Sequence, residues 1–221
     1  MMTRSHMPQR LSLDDLVKQI RTREGPSRLV VAIAGAPGSG KSTLAEQLVV
    51  ALNATQPGTA ALLPMDGYHY DDGVLIARGL RARKGAPDTF DVGGLLHMLD
   101  RLKRNDEDEI AVPVFDRDLE ISRGSARLIP RAVRTLLVEG NYLLLDQAPW
   151  SRLHAFFDIT VAIDVPEEVL RQRLVARWRG YGLGPDEIEA KVEGNDLPNG
   201  RFVRANSRPA DVVIAGQDRI D

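Results

Sequence analysis

The run Gly35-Ala36-Pro37-Gly38-Ser39-Gly40-Lys41-Ser42 fits the spacing G-x-x-x-x-G-K-[ST]. Glycines at these positions let the backbone curl until successive N–H groups point inward at a phosphate. A helix opening directly after the loop adds the positive end of its dipole. Lys41 is then spaced to reach the β- and γ-phosphates and Ser42 to ligate Mg²⁺. Thr43, one step into the helix, is placed to hydrogen-bond the α-phosphate. The bland alternative is a glycine turn with a surface lysine. Context argues against it, because the motif needs a strand before and a helix after, and the flanking patterns predict both.

Two carboxylates stand where such a loop could use them. Asp66 follows the apolar run Ala60-Ala61-Leu62-Leu63-Pro64-Met65. An acid at the C-terminal end of a parallel strand lies on the ligand side of the sheet. There it can take a proton from a hydroxyl attacking a phosphate, an assistance worth ~10²–10⁴ in rate. Asp-Gly is equally a good turn pair, so the residues alone leave Asp66 open between base and turn cap. Glu139 ends the run Leu136-Leu137-Val138 and is placed to hold Mg²⁺ through water. The rival is Asp146 after Tyr142-Leu143-Leu144-Leu145; the longer strand-like run favours Glu139.

Cations cluster further on. Arg171, Arg173, Arg177 and Arg179 fall within nine residues. The apolar stripe is Leu170, Leu174 and Trp178. At about 100° per residue Arg173 and Arg177 flank that stripe, and Arg179 points away. Arg173 and Arg177 are therefore the better candidates for reaching inward over a phosphate, and Gly180 to Gly184 could supply a hinge. The competing reading is a solvated basic face paired with Glu167 and Glu168. His69 draws interest only as a neighbour of Asp66. His97 reads as structural, and His154 as core or half-buried. Asp116 and Asp118, flanking Arg117, read as surface groups or acceptor ligands. Asn195, Asn199, Arg204 and Arg208 are weaker candidates for lining the base or the acceptor.

The elements that must position these groups alternate. An amphipathic helix is predicted over about 12–23, opened by Ser12 and Asp15 in a capping-box pattern. Strands are predicted at 29–34, 59–65, 110–115, 133–138, 159–165 and 212–215. Helices are predicted after the glycine loop (Leu44, Leu48, Leu52) and at 91–104, 166–179 and 185–193. A hairpin turn is predicted at Arg123-Gly124-Ser125. Strand–helix alternation implies right-handed βαβ units and a mainly parallel sheet.

At 221 residues the chain suggests one domain over 1–221. A 43% hydrophobic and 27% charged composition is that of an ordinary globular protein. The balance of 29 Lys+Arg against 31 Asp+Glu disfavours a globally basic nucleic-acid binder. No apolar run reaches the ~20 residues of a membrane span, so no membrane insertion is expected. The absence of cysteine excludes disulfides, cysteine-ligated metals and a thiol nucleophile. No secretory pattern is visible, and a cytoplasmic location is the default. Residues 1–7 carry no structural weight, and a homodimer stays open.

The glycine loop by itself says nucleoside triphosphate, and the same loop serves switches, motors, transporters and kinases. The guanine-reading N-K-x-D and the L-S-G-G-Q signature are both absent. Asp91-Val92-Gly93-Gly94 fits D-x-x-G but leaves no apolar strand, so it reads as chance. Together with Gly35 to Ser42, four further segments carry a resemblance. They are Met65-Asp66-Gly67-Tyr68-His69, Arg83-Lys84-Gly85-Ala86-Pro87-Asp88-Thr89-Phe90-Asp91, Val138-Glu139-Gly140-Asn141-Tyr142, and the arginine helix after Asp164-Val165-Pro166. In this order, over most of 28–215, the chain resembles the uridine kinase, phosphoribulokinase and pantothenate kinase family of P-loop kinases. Within that family it is similar to bacterial proteins described as fructose transport system kinases.

The resemblance implies a P-loop NTPase-type three-layer α/β/α fold with a small helical lid over about 167–195. It implies ATP with Mg²⁺, Asp66 as the base, and Glu139 associated with Mg²⁺ and the acceptor. It carries Tyr68, His69, Arg83 and Lys84 to the acceptor side. Neither a uridine-reading segment nor a full set of pantothenate-site residues is present. The expected function is ATP-dependent phosphorylation of a hydroxyl on a small metabolite: a sugar such as fructose, a nucleoside or a pantothenate-like compound. The alternatives are a nucleotide-driven switch or assembly ATPase without a small acceptor, and a nucleoside monophosphate kinase using Arg78, Arg81 and Arg83 as a phosphate clamp.

Overall fold

The computed structural model describes residues 8–216, so residues 1–7 and 217–221 lie outside the description. In chain order the elements are β1 (Gln9–Arg10), α1 (Leu13–Arg23), β2 (Leu29–Ala34), α2 (Lys41–Asn53) and β3 (Ala60–Pro64). A 3₁₀ turn, Met65–Tyr68, leads through α3 (Asp72–Ala77) to α4 (Val92–Arg104). Then come β4 (Glu109–Asp116), β5 (Ile121–Pro130), β6 (Thr135–Gly140) and β7 (Ile159–Asp164). The chain closes with α5 (Glu167–Gly180), α6 (Pro185–Lys191), α7 (Leu197–Asn206) and β8 (Val212–Ala215).

Six strands form one sheet in the order β1-β8-β7-β2-β6-β3, each pair parallel. The central strand β2 is buried along its whole length. Its side chains alternate between two cores. Val30, Ala32 and Ala34 join Leu95, Leu99 and Leu102 of α4 on one face. Leu29, Val31 and Ile33 join Leu16 and Ile20 of α1 and Leu44, Leu48 and Leu52 of α2 on the other. A sheet apolar on both faces needs helices on both, and the result is the expected three layers. Ser12 caps α1, its Oγ accepting from Asp15 N at 3.2 Å. Asp91 caps α4 by accepting from Gly94 N at 2.8 Å, which gives the Asp91–Gly94 run its role. No described helix is long and apolar enough to cross a membrane.

Two sequence expectations change. Arg123-Gly124-Ser125 is not a turn. β5 runs unbroken through it, and the hairpin turns instead between Asp116 and Ile121. The register shifts opposite Val112 and Val114, and Ser125 adopts φ +54°. Glycine and serine there serve a bulge, which draws on the same backbone freedom as a turn. The helix expected at 185–193 also runs on. A π-helical segment, Val192–Asp196, joins α6 to α7 without a break. Such a segment adds a residue to the turn and re-aims side chains. His97 lies exposed on α4, and His154 is half-buried with Nδ1 3.1 Å from Arg208.

One close approach fixes the segment after β3. A Cβ on Gly67 would lie 2.6 Å from the Pro113 carbonyl oxygen of β4. The Ser122 hydroxyl donates to the Gly67 carbonyl from β5. The hairpin thus rests directly on the backbone beside Asp66. Gly67→Ala is expected to cost about 1–3 kcal/mol, the range for overpacking a tight site. Thermal unfolding should register this as a Tm lower by roughly 2–4 °C per kcal/mol.

Candidate active site

The parallel register brings the chemistry to one edge. Ile33 of β2 pairs with Glu139, and Glu139 pairs on its other side with Pro64 of β3. So the loop that leaves β2, the carboxylate that ends β6 and the Asp66 that follows β3 come together at the C-terminal end of three neighbouring strands. This is where open parallel sheets hold ligands.

The loop has the geometry its glycines suggest. Gly38 and Gly40 take φ +77° and +88°, a left-handed backbone that side chains with a Cβ resist. Gly40 caps α2 with no side-chain hydrogen bond, so the first N–H groups of the helix stay available to an anion. Ser39 is 2% exposed, and its Oγ finds no partner among the described residues. Arg173 braces the loop from α5, its Nη1 lying 3.4 Å from the Gly38 carbonyl and 3.5 Å from that of Ser39. Thr43 is exposed in the first turn of α2.

Two cavities flank the loop. One, of about 500 Å³, is lined by Lys41, Ser42, Asp66, His69, Arg117 and Arg177, with further groups from Lys84 to Asn199. The other, of about 460 Å³, lies beyond Gly35, Ala36 and Ser39 between apolar walls that include Leu144, Val165 and Val203. Arg204 and Arg208 line the second cavity, while Asn195 and Asn199 line the first.

Charge in the first cavity is tightly balanced. Burial lowers the Lys41 ammonium, opposed by the Glu139 and Asp66 carboxylates. Glu139, 5% exposed, is pushed above the ordinary carboxylate range by burial and by Asp66. Its Oε2 accepts from Ser42 Oγ at 3.2 Å. Burial also opposes ionisation of Asp66, but His69 when protonated in the acid range, with Arg117 and Lys41, outweighs it and holds Asp66 low. Arg117 donates to Asp66 Oδ2 at 2.5 Å. Burial lowers His69, so the ring is neutral near pH 7. His69 Nδ1 lies 2.8 Å from the Asp66 carbonyl and must donate to it, which leaves Nε2 as an acceptor.

The residues also fit a divalent cation. Among the described residues no group of three His, Cys, Asp or Glu could hold a metal alone. A hydroxyl and a buried carboxylate in contact are the partial ligand set Mg²⁺ takes when phosphate oxygens and water complete it.

Several sequence candidates sit elsewhere. Tyr68 is in the core, its hydroxyl unpartnered, and does not line either cavity by the loop. Arg83 faces Asp88 at 3.7 Å and lines a separate cavity. Lys84 lines the first cavity but acts there as a brace, bonding Asp72 Oδ1 at 2.7 Å and the Glu120 carbonyl at 2.5 Å. Arg78 lies over the Tyr70 ring and Arg81 bonds Asp72, so the three arginines at 78, 81 and 83 form no joint clamp. Asp146 is exposed, and the rival to Glu139 falls away. Asp116 holds Arg123 and the hairpin turn, while Asp118 lines the first cavity. Arg171 pairs with Glu167, Glu168 and Glu193, as a solvated basic face would.

Groups that sequence reasoning passed over are Asn141, whose Oδ1 is buried without a partner among the described residues, and Asp196, which accepts from Trp178 Nε1 at 2.7 Å. Arg117 had been only the residue between two acids. Its position directly after a strand was the available signal.

No family model matches the chain. The chain is 35% identical over 201 residues to the uncharacterized protein YggC of Escherichia coli, covering 90% of this chain and 82% of that one. It is 32% identical over 211 residues to a "putative uridine kinase" of Schizosaccharomyces pombe, covering 92% and 90%. A crystal structure named "putative fructose transport system kinase", from Silicibacter sp. TM1040, superposes with a TM-score of 0.85 at 40% identity, covering 92% and 98%.

Glu139→Gln tests the reading of the site. A carboxyl whose folded pKa is raised makes the ligand-free protein lose stability as pH rises from the unfolded value through the folded one. The glutamine variant lacks this titration. Its Tm advantage over wild type should grow from pH 4.5 upward and level off above the raised pKa; a constant difference between pH 4 and 8 would refute the assignment.

The chain belongs to the uridine kinase-like family of P-loop kinases.

Proposed function

We propose that, as a member of this family, the chain transfers the γ-phosphoryl group of Mg²⁺-bound ATP to a hydroxyl of a small metabolite seated in the 500 Å³ cavity. The observation that carries the reading is Asp66. It is an ionised strand-end carboxylate in the same cavity as Lys41 and Ser42. A switch ATPase has no need of a metabolite-sized cleft beside its phosphate loop.

The roles follow from the geometry. The loop N–H groups and Lys41 would hold the phosphates, and the apolar cavity beyond Gly35 has walls suited to a flat base. Mg²⁺, held through Ser42 and Glu139, would supply positive charge to the phosphate oxygens. Asp66 would take the proton as the acceptor oxygen bonds to phosphorus and the bond to the leaving ADP oxygen breaks. The Arg177 side chain forms no hydrogen bond or ion pair among the described residues, lines the cavity, and would neutralise the transferring group. Arg173 would position the loop from behind. The arm from α5 to α7 would act as the lid. His69 Nε2 and Asn141 Oδ1 would accept from acceptor hydroxyls.

The test is acceptor-dependent ADP release with Mg-ATP. Asp66→Asn should lower kcat ~10²–10⁴-fold, the scale of general-base assistance, with ATP binding retained. Hydrolysis that no acceptor stimulates, and that Asp66→Asn leaves unchanged, would remove both the base and the kinase reading.

A further inference from the structure

Arg117 stands at the tip of the β4–β5 hairpin, and its placement is firmly built. Asp116 Oδ1 accepts from the N–H groups of Asp118 and Leu119 at 3.2 and 3.1 Å, closing the turn. Lys84, its side chain only 9% exposed, holds the Glu120 carbonyl on the other side of that turn. Phe115 lies under the guanidinium, 5.7 Å from ring centre to Cζ. The hairpin itself rests on Gly67. A guanidinium carries five N–H donors and no acceptor. The described partner of Arg117 is Asp66, reached through Nη2. Its side chain is 49% exposed, and the remaining donors border the cavity.

This pairing has a chemical consequence. When Asp66 takes a proton it loses the charge that Arg117 is bonded to. A half-exposed cation then borders the cavity without the charge it was bonded to, which disfavours the very transfer Asp66 would perform. An anionic group on the acceptor, beside the reacting hydroxyl, would supply the missing charge. Of the other cations that border the cavity, Lys84 and Arg81 bond Asp72, Lys191 lies over the Trp178 ring, and Lys41 and Arg177 belong to the phosphate side in the reading above. Asp118 and Glu120 also border the cavity from the hairpin turn, and Asp196 from the π-helical segment. They would confine an anion to the side of Arg117.

We propose that Arg117 is the residue that selects the acceptor, and that the acceptor is a hydroxylated metabolite with an oxyanion group, carboxylate or phosphate, close to the hydroxyl that is phosphorylated. The inference rests on the kinase reading above and narrows its substrate class. Arg117 would move its bond from Asp66 to the incoming anion, freeing the carboxylate as the proton arrives.

The experiment is ADP release with matched acceptors. One set is glycerol, glycerate and glycerol 3-phosphate; the other is fructose, gluconate and fructose 1-phosphate. Wild type, Arg117→Gln and Arg117→Lys are compared. An anionic member should stimulate release where its neutral counterpart does not, and whether it is the acid or the phosphate ester names the oxyanion. Arg117→Gln should raise KM for that acceptor about 10- to 100-fold, the scale of a lost charged hydrogen bond, and Arg117→Lys should recover part of it. The acid limb of the free enzyme's kcat/KM profile should move to higher pH in Arg117→Gln, since Asp66 loses a bonded cation. A merely structural arginine would not move that limb. Use of the neutral members, equally in wild type and Arg117→Gln, overturns the inference and leaves the kinase reading standing. Silence toward every member overturns both.

Discussion

Everything at this site depends on the parallel register that sets Ile33, Glu139 and Pro64 side by side. Parallel strands end at the same edge, so three connections far apart in sequence, after Ala34, Pro64 and Gly140, deliver their functional groups to one place. Two-sided burial makes that register strict. A slip of one residue in β2 would exchange Val30, Ala32 and Ala34 with Leu29, Val31 and Ile33 between differently shaped cores. Precision in the core is therefore precision at the loop.

The charges that register brings together explain one another. Lys41, Asp66, Glu139 and Arg117 each lie in surroundings that disfavour charge, and each finds opposite charge in its neighbours. The balance is uneven: Asp66 is held ionised, while Glu139 is lifted. Two neighbouring carboxylates are driven apart by environment, which is the pattern that separates a proton acceptor from a metal-associated group. Burial disfavours the charge on Glu139 beside Ser42, and Arg117 has donors beyond the one that meets Asp66.

The acceptor wall is assembled from distant parts that lock together. Asn195, on the π-helical segment, donates to the Lys84 carbonyl at 3.0 Å, and Asp196 holds Trp178 of α5. Lys84 in turn joins α3 to the hairpin. Helical arm, hairpin and the segment after α3 thus share one network around the cavity. Any movement of the arm would be felt at Asn195 and Lys84, so closing over nucleotide and shaping the acceptor space are mechanically linked.

Local pattern determined much of this protein. The six-residue apolar run of β2, the helical spacing of Leu44, Leu48 and Leu52, and the glycine–lysine–serine loop between them are short-range signals, and the structure has each where the sequence puts it. Asp66 and Glu139 were legible for the same reason, as acids at the ends of apolar runs. Only tertiary structure could decide what those ends face. It moved the hairpin turn from Gly124 to the segment beside Arg117, because a bulge and a turn draw on the same glycine. It sent Tyr68 to the core and Arg83 to Asp88, and it turned Lys84 into a brace. Strand and helix follow from neighbours a few residues apart. Whether an arginine meets a carboxylate 51 positions away depends on register, crossover and packing, which no local window contains.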